Sequence, residues 1–146
     1  MHSVKILLLA GLTIFFLVRC STEPQPIVYG EDQCHSCKMI IADPRFGSEL
    51  VTSKGKIYKF DAIECLVPTL LEWEETAFAH LLVSDYKQPG TLIDASKAQY
   101  LISELVPSPM GRYLSAYHSI EDIRSQILTK DDRRLSWNDL LREFAK

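Results

Sequence analysis

Cys34-His35-Ser36-Cys37-Lys38-Met39 holds the side chains best suited to chemistry. Two thiols at CxxC spacing can turn to one side of a tight turn and grip a single ion. On an extended run, Met39 returns its thioether to the face that carries Cys37. Thiolate and thioether are soft donors, and together they favour Cu(I). A structural zinc site takes four N or S ligands. The sequence has no second CxxC, which leaves His35, His80, His118 and Cys65 as completions. The same pair also reads as a thiol–disulfide redox couple or a plain short-range disulfide. Against the redox reading, a thioredoxin-like pair opens a helix behind a strand, whereas this one precedes an apolar run. Attachment of c-type haem would need His where Lys38 stands.

Met110 is the other methionine of interest. It sits in a Pro-Met-Gly turn, where its thioether is either presented to a ligand or fills irregular space beneath a loop. Cys65 falls on an expected helix at an apolar-flanked position and reads first as a buried thiol. His118 follows Met110 by a few residues and is a further possible ligand, as is His35. Asp61 and Asp94 read as caps or turn formers. A Gly-rich phosphate loop, a GxSxG elbow and an HExxH helix are all missing from the sequence, so an ordinary enzyme has little support.

The compartment bears on the thiols. Residues 1–19 carry Lys5, the 13-residue apolar run from Ile6 to Val18, and no acid before Glu23, which is a signal-peptide pattern. Cys20 follows at once, then a polar tether over residues 20–30 with Pro24 and Pro26. This layout resembles a bacterial lipoprotein signal, in which Cys20 is acylated and becomes the new N-terminus, although Arg19 stands where a small residue is usual. Loss of Lys5 and Arg19 takes the net charge from −3 to −5. Three other cysteines remain, an odd number for an oxidising compartment, and a bound metal is one way to protect a bare thiol there. With 146 residues, 16 basic against 19 acidic side chains and no basic stripe, the chain is sized for one domain or two very small ones and shows no nucleic-acid footprint.

These residues need elements to position them. A short strand is expected over Lys38–Ile41. Strands over 48–53 and 56–60 flank a Ser53–Lys56 hairpin turn. A helix capped by Asp61 is expected from Ala62 to about Ala79, kinked by Pro68. Strands over 80–86 and 91–94 follow, then a helix over 96–105. Two prolines make residues 106–111 a rigid break. A strand over 112–117, a helix from 118 or 119 through 128, a charged loop over 130–134 and a C-terminal helix capped by Ser136 complete the chain. A weak echo relates Gly55–Glu64 to Gly111–Glu121: each reads as a Gly-basic turn, a strand and a capped helix. The fold class is therefore α+β, with two small related strand-strand-helix-strand-like units, roughly 31–88 and 89–146, behind the signal and tether.

Asp32–Phe46, including Cys34-x-x-Cys37-x-Met39, resembles the NosL family of copper-binding lipoproteins. Gly55–Asp61 with Cys65, Val83–Tyr86, Ile93–Ala95 and Pro107–Gly111 continue the likeness in the family's order. The resemblance implies a small α+β protein of two related halves, facing the periplasm and lipid-anchored, with the outer membrane expected. It implies a chaperone without turnover that supplies Cu(I) for maturing the copper–sulfide centre of nitrous oxide reductase. The implied partner is an accessory membrane complex with an ABC-type transporter and a periplasmic β-helical protein. Cys34, Cys37, Met39 and Met110 match motif positions as metal ligands. A thiol-disulfide oxidoreductase using Cys34 and Cys37, or a chaperone for another cuproprotein, remains the alternative.

Overall fold

The computed structural model describes residues 21–73, 76–126 and 128–146; the expected signal segment and Cys20 lie outside them. The first sheet is organised around β1 (Ser48–Thr52), which pairs antiparallel with β2 (Ile57–Phe60) on one side and β3 (Phe78–Ser84) on the other. All five β1 residues are buried, charged Glu49 included. The cause is cover on both faces. Leu50 points into the core, while the chain at 25–33 crosses the opposite face: Gln25 N–H donates to Glu49 Oε1 at 3.0 Å, and Lys59 Nζ reaches Pro26 O and Asp32. Gly47 permits that crossing, since a Cβ there would lie 2.9 Å from the Ile27 side chain.

The expected β1–β2 hairpin forms. Gly55 adopts φ +81°, the left-handed region that glycine enters without steric cost, and its N–H closes the turn on Thr52 O at 2.8 Å. The β4 strand (Leu92–Asp94) adds to the far edge of β3, giving the order β2-β1-β3-β4. The second sheet has the order β6-β5-β7, built from β5 (Gln99–Ile102), β6 (Leu114–Tyr117) and β7 (Arg133–Leu135). Helix α1 (Ile63–Glu72) follows β2, α2 (Ile120–Arg124) follows β6, and α3 (Trp137–Phe144) ends the chain. The succession β1-β2-α1-β3 thus recurs as β5-β6-α2-β7, with the first strand central each time. The Gly55 and Gly111 segments that echo each other lead into β2-α1 and β6-α2. The class is α+β, as expected.

Several local expectations are corrected. The helix expected over 96–105 is one turn, with Ala98 N–H on Asp94 O, followed by β5. Tyr100 and Leu101 are fully buried there, and pairing on both edges overrides local propensity. The charged loop expected over 130–134 runs into the edge strand β7, whose Arg133 and Arg134 keep an open edge from recruiting further strands. Helix α1 stops at Glu72 rather than Ala79, because residues from Phe78 onward pair with β1. The strand expected at Lys38–Ile41 reduces to a single bridge, Gln33 to Ile40. The expected cap Asp61 lies one residue too early: Ala62 is the N-cap and has no side-chain bond, while Asp61 is buried. Helix α2 ends at Arg124 rather than 128. Its cap Ser119 and the α3 cap Ser136 each form a full capping box, with Asp122 and Asp139 respectively.

One core serves both sheets. Ile63, Leu66 and Val67 of α1 pack with Leu50 and Phe60 of the first sheet, Leu114 and Ala116 of the second, and Leu140 of α3. The N-terminal turn of α1 therefore stands where the two sheets meet.

Candidate metal centre

The turn from Cys34 to Met39 is closed by its own backbone. Cys34 N–H donates to Met39 O at 2.8 Å, and Lys38 N–H donates to Cys34 O at 3.1 Å. To close it so tightly, Lys38 takes φ +65°, a left-handed conformation that is strained for a side chain with a Cβ. Two outside bonds fix the turn on the first sheet: His35 N–H reaches Lys59 O at 2.8 Å, and the Lys59 ammonium pairs with Asp32 at 2.6 Å. Cys34 and Cys37 are thereby aimed at the start of α1.

Cys65 completes the group from the third position of that helix. The sulfurs of Cys34, Cys37 and Cys65 all lie within 4.8 Å of one another, with Cys34 and Cys65 buried and Cys37 half-buried. Cys65 had read first as a buried thiol and only secondarily as a ligand. Its sulfur joins the pair because the first turn of α1 packs against the Cys34 loop, a contact between distant parts of the chain. The odd number of thiols was the signal that could have found it.

The environment makes the three thiols unequal. Cys34 is lowered from the ordinary 9.0 to about 4, first because the Cys65 thiol donates to its sulfur, with the Asp61 and Cys37 amides helping against burial. Cys65, as that donor, is pushed up by the same bond. Burial pushes Cys37 up, partly offset by the Met39 amide. The N-terminus of α1, which has no side-chain cap, adds a field that favours an anionic sulfur. Asp61, buried behind Cys34, has its carboxyl raised by burial and then by the charge on that sulfur.

The other expected ligands are placed as follows. Met39 and Met110 are 46% and 40% exposed, each on a loop. The imidazole of His35 sits outside the three-sulfur group, edge-on to Tyr58 at 4.7 Å, Trp73 at 5.5 Å and Phe60 at 6.0 Å; burial lowers its proton affinity. His118 is exposed, beside Ile93, Asp94, Lys97 and Ala98. Glu64 carries no signal of a role in the sequence. Its carboxylate, one residue before Cys65, accepts the hydroxyl of Ser108 from the Met110 loop.

The donor set suits a soft ion. A metal–sulfur bond of about 2.3 Å puts the sulfurs of a trigonal site roughly 4 Å apart, inside the spacing this cluster allows. Among the described residues no His, Asp or Glu joins the three cysteine sulfurs, a set that suits a soft ion such as copper better than a four-ligand structural zinc.

Comparison with known proteins agrees with that chemistry. The NosL family model matches residues 27–144. A copper-binding lipoprotein NosL from Stutzerimonas stutzeri is 29% identical over 138 residues, spanning 81% of this chain and 70% of the relative. The crystal structure of the copper chaperone NosL from Shewanella denitrificans shares the fold with a TM-score of 0.66 at 20% identity, over 82% of this chain and 96% of that one. With the family model matched from residue 27 to 144, over most of its length, the chain belongs to the NosL family.

Proposed function

We propose that the chain is a Cu(I) metallochaperone that faces the periplasm, held at a bacterial membrane, with the outer membrane expected, by lipid on Cys20. It delivers copper for the copper–sulfide centre of nitrous oxide reductase, through an accessory complex with an ABC-type transporter and a periplasmic β-helical protein. The observation that carries this reading is the three-sulfur cluster at the start of α1. Copper is cargo here, not a resident cofactor, and the role involves no turnover. Cys34 arrives as a thiolate, so Cu(I) meets one anionic donor at once; Cys37 and Cys65 must shed protons as they bind. The exposed thioethers of Met39 and Met110 serve as neutral ligands at the solvent side, where a receiving site can displace them without breaking a thiolate bond.

The rival reading is a thiol-disulfide oxidoreductase using Cys34 and Cys37. A transfer assay separates the two. Cu(I)-loaded chain should pass copper to a metal-free acceptor, and cells lacking the chain should assemble a reductase poor in its copper–sulfide centre. Met39→Leu and Met110→Leu should impair delivery. If both variants deliver normally while Cys34→Ser abolishes thiol exchange with a disulfide substrate, the redox reading replaces this one.

A further inference from the structure

Resting on the copper reading, we infer that Glu64 and Ser108 form a positioning pair that fixes the Met110 loop against the first turn of α1, the turn that presents Cys65. Glu64 occupies the second position of α1, immediately before Cys65, and is only 7% exposed. An acid is seldom buried so deeply without a partner to hold it. Its Oε1 accepts the Ser108 hydroxyl from the Met110 loop. Oε2 lies buried with no hydrogen-bond partner among the described residues. One buried carboxylate thus anchors the segment that carries Met110 at Ser108.

The rest of the loop is shaped to the same end. Val106 packs on Ala62, the N-cap of α1, together with Phe46. Pro107 and Pro109 restrict the backbone on either side of Ser108. Gly111 N–H closes a turn on Ser108 O at 3.0 Å, and Tyr113 leaves the loop at φ +60°. Of the two non-glycine residues with positive φ among those described, Lys38 directly precedes Met39 and Tyr113 lies three residues after Met110. Met110 remains exposed on a loop whose anchors are buried. A thioether is a weak, neutral ligand, so its contribution depends on being held in place. Glu64 supplies that hold from the same helical turn that presents Cys65, which couples the weak ligand to the strong one.

The test uses the full reduced chain with methyl-labelled methionines. Without metal, Ser108→Ala should shift the Met110 methyl resonance and leave that of Met39 in place. With metal, Ser108→Ala should weaken Cu(I) binding roughly three- to tenfold, the range for one hydrogen bond. That loss should vanish in a Met110→Leu background, because the pair acts through Met110. Glu64→Ala should repeat the effect, and Glu64→Gln, which keeps an acceptor oxygen, should restore most of the affinity. An unmoved Met110 methyl, or an undiminished loss in the Met110→Leu background, would overturn the inference. Should the parent chain hold no Cu(I), the copper reading falls, and the methyl shift still decides whether the pair positions Met110.

Discussion

A thiolate beside two thiols is an unequal set of ligands, and the inequality can be measured. In the metal-free, reduced chain, Cys34 should contribute one thiolate ultraviolet band at neutral pH that fades with a midpoint near 4 on acidification. The sign follows from the depressed value. The charged form is favoured by the fold, so this stabilisation is complete above the ordinary 9.0 and is lost as the pH falls through about 4. Cys65→Ala removes the principal donor to the Cys34 sulfur and should move the midpoint upward. A band that rises only under alkaline conditions would contradict the assignment. At this scale the sequence was informative about Cys34 and Cys37, whose spacing is local. It was weaker for Cys65, and silent for Glu64, because their roles depend on what the first turn of α1 meets in three dimensions. Asp61 looked like a cap for the same reason: nothing local reveals that the helix starts one residue later and leaves that carboxyl behind Cys34.

Elements bounded by strong local signals were legible, and those decided by distant pairing were not. Ser136, with Asp139 three residues on, marks α3 correctly, since a capping box is complete within four residues. The Asp139 carboxyl is pulled down to about 2, first by the Ser136 hydroxyl. It favours the fold above the ordinary carboxylate range, and its support for α3 is lost as the pH drops toward 2. An NMR titration of its carboxyl should show that low midpoint, and Ser136→Ala should raise it; a midpoint unchanged by the substitution would remove the cap from the account. By contrast, Gln99–Ile102 could not be told from a helix by pattern alone, because its strand state comes from β6 and β7 on its two edges. Leu66 tests the element that joins everything. It is fully buried where α1 meets both sheets, so Leu66→Ala should cost about 3 kcal/mol and lower a single cooperative transition. Two separate transitions would mean that the sheets do not share a core in the energetic sense.

For the whole molecule, the repeated ββαβ order explains how a short chain builds a site from distant parts. The first unit supplies the Cys34 loop and Cys65, which the shared core holds at α1; the Met110 loop of the second unit meets the same helix turn through Val106 and Ser108. The sequence echo between residues 55–64 and 111–121 hinted at this architecture. The register and the joint core follow from packing that no local pattern encodes. Membrane attachment belongs to this scale too. Cells fed a labelled fatty acid should incorporate it into the chain, and Cys20→Ala should abolish the label and release the protein from the membrane fraction. Retention of an unlabelled Cys20→Ala chain in the membrane would point to an uncleaved anchor at residues 1–19.

The central claim is that Cys34, Cys37 and Cys65 bind Cu(I) together, and its most direct test is a Cu(I) titration of the reduced chain against a chromophoric competitor. The account predicts about one equivalent bound per chain. Cys34→Ser and Cys37→Ser should each weaken it roughly a hundredfold or more, beyond what outer-shell partners contribute. Cys65→Ser, Met39→Leu and Met110→Leu should each weaken it by smaller amounts. Failure to compete for Cu(I), or an affinity indifferent to any one of the three cysteines, would contradict it.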